Sequence, residues 1–373
     1  CNSVSDETSG TEIILPDKIR EQKMKIGILT HHYINNFGAF LQAYALQTTL
    51  QELFKDDEVV LINDLNLKHF IINTGGWFRL RNYEGIKSWF HKIRVPITFA
   101  KERKKYFNLT PVVFSAKGIN KLGLDCIVVG SDEVWNIKEN KGIALEKFGV
   151  GLNSERLISY APSCGKTTVD NDIKSLIKSG MEKFDAISVR DSFTENFVNS
   201  IINKSGELVL DPTFLIDITA DIDSLNLKSP YILFYYCDGM PDEMKKQIIY
   251  QAHKNGYSVY GAGECNKLYD DITVNLTPFQ WAGMFKNASY VFTGTFHGTV
   301  FSIKNRKQFS IYATNESRIR KIQDLLDQLE IRGREANGFE DIKVKEPIEY
   351  NSVYCLIEQK RKSSLEFLNT NIR

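Results

Sequence analysis

The residue best equipped for proton chemistry in this sequence is His297, set in the stretch Tyr290–Ser302, YVFTGTFHGTVFS. An imidazole titrates near neutral pH, so it can both give and take protons in one reaction cycle. The stretch opens on the apolar run Tyr290, Val291 and Phe292, breaks into small and hydroxylated residues, and turns apolar again at Val300, Phe301 and Ile303. That order predicts a buried strand, a turn and a packed helix. A helix starting in such a turn presents free backbone N–H groups whose partial positive charge suits an anion. Thr295, Phe296, Gly298 and Thr299 supply that backbone. A histidine that merely bonds a nearby carbonyl is the plainer reading, and the two glycines and three threonines around His297 weigh against it.

Further reactive groups fall at other strand ends. Asp132, in GSDEVWN (Gly130–Asn136), follows the apolar run Cys126–Val129. A carboxylate there can accept from sugar hydroxyls or act as a base. Ser131 or Asp132 as a mere helix cap is the equal alternative. Arg190 closes FDAISVR and offers a rigid fork to a carboxylate or phosphate, against the alternative of a salt bridge to Asp191 or another neighbouring acid. Arg318 and Arg320 begin a later helix and can reach an anion, or pair on the surface. In the turn Thr30–Ala39, Asn36 can cap a helix and Gly38 allows close backbone approach, which suits a phosphate or sugar hydroxyl. A structural cap explains Asn36-x-Gly38 equally well. The adjacent His31 and His32 lack helical metal-ligand spacing, and the six cysteines include no C-x-x-C pair, so no metal is expected.

These groups need a scaffold of strands with free carboxyl ends. From Lys25 the chain alternates short apolar strands (Ile26–Leu29, Val59–Ile62, Cys126–Val129, Leu157–Tyr160, Ala186–Val189, Leu208–Leu210) with helical periodicity, as at Leu41, Ala45, Leu46, Leu50 and Leu53. After Asp211-Pro212-Thr213 a second series begins, with strands at Tyr231–Tyr236, Tyr257–Tyr260, Tyr290–Phe292 and Phe309–Tyr312. Strands alternating with helices imply crossovers and mainly parallel sheets. The expected fold is α/β, with two Rossmann-like domains, residues 24–215 and 225–345, facing a cleft where ligands bind. A last helix over residues 350–373 is expected to pack back on the first domain. Residues 1–23, polar and weakly patterned, read as a tag, a fragment boundary or a disordered leader.

The chain of 373 residues is 42% apolar with a net charge of +1, enough for two cores and a poor match to a generic nucleic-acid binder. Scattered cysteines fit reduced thiols in a cytoplasm. Trp77–Tyr106 departs from the rhythm: nine Lys or Arg stand against two Glu, interleaved with Trp77, Phe78, Tyr83, Trp89, Phe90 and Phe99. A helical excursion with aromatics in the core is one reading. A peripheral surface touching anionic lipid or a phosphate-bearing carrier is the other. Pro96 argues against one continuous amphipathic helix.

In order along the chain, the strand-end motifs resemble the polysaccharide pyruvyl transferase family. The matching stretches are TxxxxxNFGAFLQAYALQ (Thr30–Gln47), IVVGSDEVWN (Ile127–Asn136), ISYAPSCG (Ile158–Gly165), FDAISVRD (Phe184–Asp191), LDPTFLI (Leu210–Ile216), FTGTFHGTVFS (Phe292–Ser302) and SRI (Ser317–Ile319). The resemblance implies a fold like that of the GT-B glycosyltransferases. It implies transfer of the enolpyruvyl carbons of phosphoenolpyruvate onto two hydroxyls of a galactose- or mannose-type sugar as a cyclic ketal, with release of phosphate. No cofactor beyond that donor is implied. The family histidine corresponds to His297 and the family arginine to Arg190. Arg318 and the backbone at Thr295, Phe296, Gly298 and Thr299 would hold the donor, Asp132 would orient the acceptor, and Asn36, Gly38 and Ser131 lie on the acceptor or loop side. Two departures stand out: Thr293-Gly294-Thr295 lacks the carboxylate many members carry, and Thr295 stands where others carry Arg. The setting implied is bacterial capsule or exopolysaccharide assembly in the cytoplasm, with an acceptor that is either free or lipid-diphosphate-linked at the inner face of the plasma membrane. A nucleotide-sugar glycosyltransferase of the same architecture and a glycan- or carrier-binding protein with a decayed site are the competing readings.

Overall fold

The computed structural model describes residues 23–81, 84–137, 143–168, 170–218, 225 and 227–373. The leader reading for residues 1–23 and the aromatic Tyr83 therefore fall outside the described residues, save Lys23. Two all-parallel sheets form. The first runs β2–β1–β3–β4–β5–β6, built from β1 (Lys25–Leu29), β2 (Glu58–Leu61), β3 (Cys126–Val129), β4 (Arg156–Ser159), β5 (Ala186–Val189) and β6 (Glu207–Leu208). The second runs β10–β9–β7–β8, built from β7 (Tyr231–Tyr235), β8 (Ser258–Gly261), β9 (Tyr290–Thr293) and β10 (Phe309–Ile311). Central strands such as CIVV and YILFY are buried along their whole length, as parallel strands covered on both faces must be.

Helices supply the crossovers. In the first half these are α1 (Phe37–Leu53), α2 (Leu67–Gly76), α3 (Ile86–Lys92), α4 (Val95–Tyr106), α5 (Ala116–Asn120), α6 (Asn171–Met181) and α7 (Ser192–Ile202). In the second they are α8 (Asp242–Lys254), α9 (Pro278–Lys286) and α10 (Phe296–Lys304), while α11 (Glu316–Gln328), α12 (Asp341–Val344) and α13 (Tyr350–Ile372) follow the last strand. Pro96 sits in the first turn of α4, where its missing N–H costs nothing, and separates α4 from α3. Helix α13 lies against β4: the Leu210 N–H donates to Ser364 Oγ at 3.0 Å, and Phe367 meets the Tyr160 ring at 6.4 Å.

One apolar cluster joins the sheets, from Ile26 and Leu46 to Trp281, Phe285 and Phe301. Its hinge is Phe37, the first residue of α1, stacked on Trp281 of α9 with centroids 5.4 Å apart and planes 3° from parallel. Burying each such ring contributes roughly 1.5–3 kcal/mol. Polar contacts follow the same seam: Thr98 Oγ1 donates to Asn275 Oδ1 at 2.8 Å, and Lys321 of α11 pairs with Glu133 beyond β3.

Candidate active site

In both sheets the strand order reverses once. The first sheet grows from β1 to β2 on one side and returns to β3 on the other; the second grows from β7 to β8 and returns to β9. Open α/β sheets bind ligands beyond their carboxyl ends at such reversals. Here both reversals open on one cleft of about 470 Å³. His31 follows β1 and Asp132 and Glu133 follow β3. Tyr235 ends β7 and Tyr236 follows it, and Thr295, Phe296 and His297 follow β9, all on the cleft wall.

His297 enters from the first turn of α10. Its Nε2 is buried, lies 3.6 Å from Asp211 Oδ2 and makes no hydrogen bond among the described residues. Asp211 is fully buried and caps the short 3-10 turn Pro212–Phe214, its Oδ1 accepting from Thr213 N at 3.1 Å and Thr213 Oγ1 at 2.7 Å. Arg190 Nη1 donates to Asp211 Oδ2 at 3.0 Å. Burial alone would raise the Asp211 carboxyl, but His297 and Arg190 outweigh it and hold the group well below the usual carboxylate range. Arg190 also lies 3.9 Å from Asp132 and stacks on the Phe296 ring at 4.2 Å, while its buried Nε has no partner among the described residues. Asp191 is not its partner. It caps α7 instead, accepting from Thr194 N at 2.8 Å.

The start of α10 is partly spent. Thr295 Oγ1 accepts from Gly298 N at 3.0 Å, and Thr295 O accepts from Thr299 N at 3.1 Å and Thr299 Oγ1 at 3.0 Å. Among the described residues no partner faces the N–H groups of Phe296 and His297, so the first turn keeps two donors. Thr299 itself is buried. Gly298 leaves room for Thr293 Oγ1 and the Tyr235 ring, so neither residue forms the cleft surface.

Asn36 lines the cleft and also caps α1, accepting from Ala39 N at 3.0 Å. Gly38 does allow a close approach, but by the His297 ring: a Cβ there would collide with Nδ1, Cγ and Cε1. Ser131 is fully buried behind the wall, its carbonyl accepting from Thr30 Oγ1 at 3.0 Å. No helix follows β3 before the 3-10 turn Leu145–Phe148 among the described residues, so neither Ser131 nor Asp132 acts there as the cap of a following helix. Asp132 sits at φ 71°, a conformation Asp tolerates better than most residues, and reaches the cleft. Arg318 lines the cleft while pairing with Asp238 at 2.9 Å, and Arg320 turns away to stack on Phe193 at 3.7 Å.

Several cleft residues escape a reading by motif. Lys321 crosses from α11 to Glu133, whose carboxyl burial would raise but which Lys321 and Asn136 hold down at about 2. Exposed Lys166 adds a cation without an ion pair among the described residues. Beneath His31, the fully buried Lys147 donates to its Nδ1 at 3.1 Å, and burial lowers that ammonium below its ordinary value. Asp211 had a signal in the sequence: like Asp132, it is an acid just past an apolar strand. The lining carries Lys166, Arg190, Arg318 and Lys321 against Asp132 and Glu133, a balance suited to an anion. Among the described residues no group of three or more His, Cys, Asp or Glu is placed to hold a metal ion.

The sequence model of the polysaccharide pyruvyl transferase family matches residues 36–316. The chain belongs to that family. No curated protein matches it. Among solved structures, a glycotransferase of kitacinnamycin aligns at TM-score 0.49 and 8% identity, covering 94% of this chain and 100% of its own. A UDP-N-acetylglucosamine 2-epimerase described as putative, from Listeria monocytogenes, aligns at 0.48 and 8%, covering 94% and 91%. MurG of Acinetobacter baumannii aligns at 0.40 and 10%, covering 94% and 99%. The stretch Phe292–Ser302 around His297 spans the end of β9 and the start of α10, and the stretch Leu210–Ile216 brings Asp211 to its imidazole; both lie within the matched residues.

Proposed function

We propose that this pyruvyl transferase moves the enolpyruvyl group of phosphoenolpyruvate onto two hydroxyls of one galactose- or mannose-type residue of a polysaccharide precursor. The observation carrying the reading is His297, backed by buried Asp211 and set at an α10 N-terminus with two free N–H groups. Donor phosphate and carboxylate bind those N–H groups, Arg190, Lys166 and Arg318. Proton transfer to the donor methylene carbon leaves an oxocarbenium-like centre. One sugar hydroxyl adds to it and loses its proton. The bond to phosphate then breaks, and the second hydroxyl closes the ketal as its proton leaves with phosphate.

His297 carries the protons. Asp211 occupies its Nε2 side, so Nδ1 is the nitrogen that exchanges with bound substrate. Asp132, across the cleft, orients the acceptor hydroxyls. Family membership supports the sugar acceptor, and the reading extends to a lipid-diphosphate-linked acceptor at the cytoplasmic face in capsule or exopolysaccharide assembly.

The test is phosphate release from phosphoenolpyruvate with aryl galactosides and mannosides, read together with the mass gain of the product. Wild type should release phosphate only with a diol acceptor, and His297→Ala should fall at least about a hundredfold. Thermal stabilisation by UDP or GDP without any by phosphoenolpyruvate would overturn the reading in favour of glycosyl transfer. Tight acceptor binding with no release from phosphoenolpyruvate would leave a binding protein.

A further inference from the structure

The segment from Leu67 to Lys105 carries ten Lys or Arg against two Glu, so the rest of this chain of net charge +1 is acidic. Its two carboxylates do not offset the exposed charge: Glu84 is buried and Glu102 half-buried. Among its described residues, every fully exposed charged side chain is a cation. Half of the large apolar residues exposed across the described chain also fall here.

The exposed residues follow helical spacing. Helix α2 turns out Leu67, Lys68, Ile71 and Ile72; α3 turns out Ile86, Lys87 and Phe90; α4 turns out Ile97, Lys101, Lys104 and Lys105. Between α2 and α3, Phe78 is 53% and Leu80 54% exposed, alternating with exposed Arg79 and Arg81. This loop is pinned from below. Trp89 Nε1 donates to Phe78 O at 3.2 Å. Buried Lys92 donates to Arg79 O and to buried Glu84, both at 2.6 Å, and Glu84 also accepts from Arg81 N at 3.1 Å. A buried ion pair adds little net stability by itself, but it fixes geometry, here holding Phe78 and Leu80 outward.

We propose that this face docks on an anionic lipid bilayer, with Phe78 and Leu80 entering the acyl boundary and the surrounding Lys and Arg meeting headgroup phosphates. Large apolar residues interleaved with cations and free of exposed carboxylates suit a lipid interface. A nucleic acid would use the cations and leave Ile71, Ile86 and Phe90 in water. No helix among the described residues is long and apolar enough to cross a membrane. The face reaches the cleft directly: Arg103 of α4 donates to Asn35 Oδ1 at 3.1 Å, and Asn35 N donates to Asn73 Oδ1 of α2 at 2.9 Å, beside cleft residues Ile34 and Asn36. Docking therefore sets the cleft near the lipid surface, where a lipid-linked acceptor is held.

The test is co-sedimentation of the full chain with phosphatidylcholine vesicles, with and without phosphatidylglycerol, beside sedimentation velocity without lipid. The wild type should bind the anionic vesicles at least tenfold more tightly and lose that binding as salt rises. The double variant Phe78→Ser/Leu80→Ser should lose at least tenfold in vesicle affinity. Its thermal midpoint should be unchanged, since both side chains are mostly in water already. Equal binding by variant and wild type, no preference for the anionic vesicles, or a dimer that the double variant dissolves would overturn the proposal. Phosphate release onto a water-soluble acceptor should be the same in variant and wild type, so the lipid proposal can fail while the transferase reading stands, and the reverse.

Discussion

The Asp211 carboxylate, withdrawn completely from water, faces both the His297 imidazole at 3.6 Å and the Arg190 guanidinium at 3.0 Å through the same oxygen. One buried anion therefore orients the ring and balances the guanidinium behind it. Removing the charge while keeping the shape separates these roles. Asp211→Asn should lower kcat for phosphate release by about a hundredfold or more, with a smaller change in KM, since the lost interaction serves the proton-transfer step. Asp211→Ala should in addition cost about 3–5 kcal/mol in urea unfolding, because Arg190 keeps its buried charge and loses its close partner. Wild-type kcat in the Asn variant would remove Asp211 from the mechanism.

Much of this was legible in the sequence. Cys126–Val129 and Ala186–Val189 form strands with the expected limits, because runs of mostly apolar residues leave little choice. His297, Arg190, Asp132, Arg318 and Asn36 all reach one cleft, since each follows a strand or starts a helix at the carboxyl edge of a sheet. Partner identity was not legible. Arg190 passes over its chain neighbour Asp191 for Asp211 beyond the next strand of the same sheet, and Lys321 finds Glu133 across the seam; such pairs depend on how distant segments come together, which no local pattern encodes. Gly38 illustrates the same limit. Its missing side chain was visible, but the imidazole that fills the space comes from the other sheet.

Gly38→Ala sets two effects against each other. In the first turn of α1 alanine is favoured over glycine by at most about 1 kcal/mol, the value for a helix interior. The new Cβ would overlap the His297 ring, and forcing atoms into a filled space costs about 1–3 kcal/mol and moves the softer partner. The ring is that partner, so His297 should leave its place beside Asp211. The expected outcome is a folded protein with kcat down at least about tenfold. Because His297 is already absent, adding Gly38→Ala to His297→Ala should cost almost nothing further in turnover. A full additional loss in the double variant would show that Gly38 acts elsewhere.

Phe37 begins α1 beside the cleft and stacks on Trp281 across the seam, 3% exposed. Phe37→Ala should destabilise the protein by about 3–5 kcal/mol, the cost of deleting a buried aromatic ring. The loss falls where the two halves meet, so the variant should unfold in two steps by denaturant titration followed through tryptophan fluorescence and circular dichroism. Coincident single transitions by both probes would place the cooperative boundary elsewhere.

The Lys321–Glu133 pair gives the seam a pH dependence of known sign. Glu133 is held at about 2 against an ordinary 4.5, so its carboxylate is favoured in the folded state. Such a group stabilises fully above the unfolded value and loses that contribution as pH falls through the folded one. The stability difference between wild type and Glu133→Gln should therefore be constant above about pH 4.5 and shrink as pH falls towards 2. Asp211 titrates in the same direction in both proteins and cancels from the difference. Urea unfolding at a series of pH values measures it directly. Parallel curves for the two proteins would mean that Glu133 gains nothing from Lys321, and that the apolar stacking at Phe37 and Trp281 holds the seam without it.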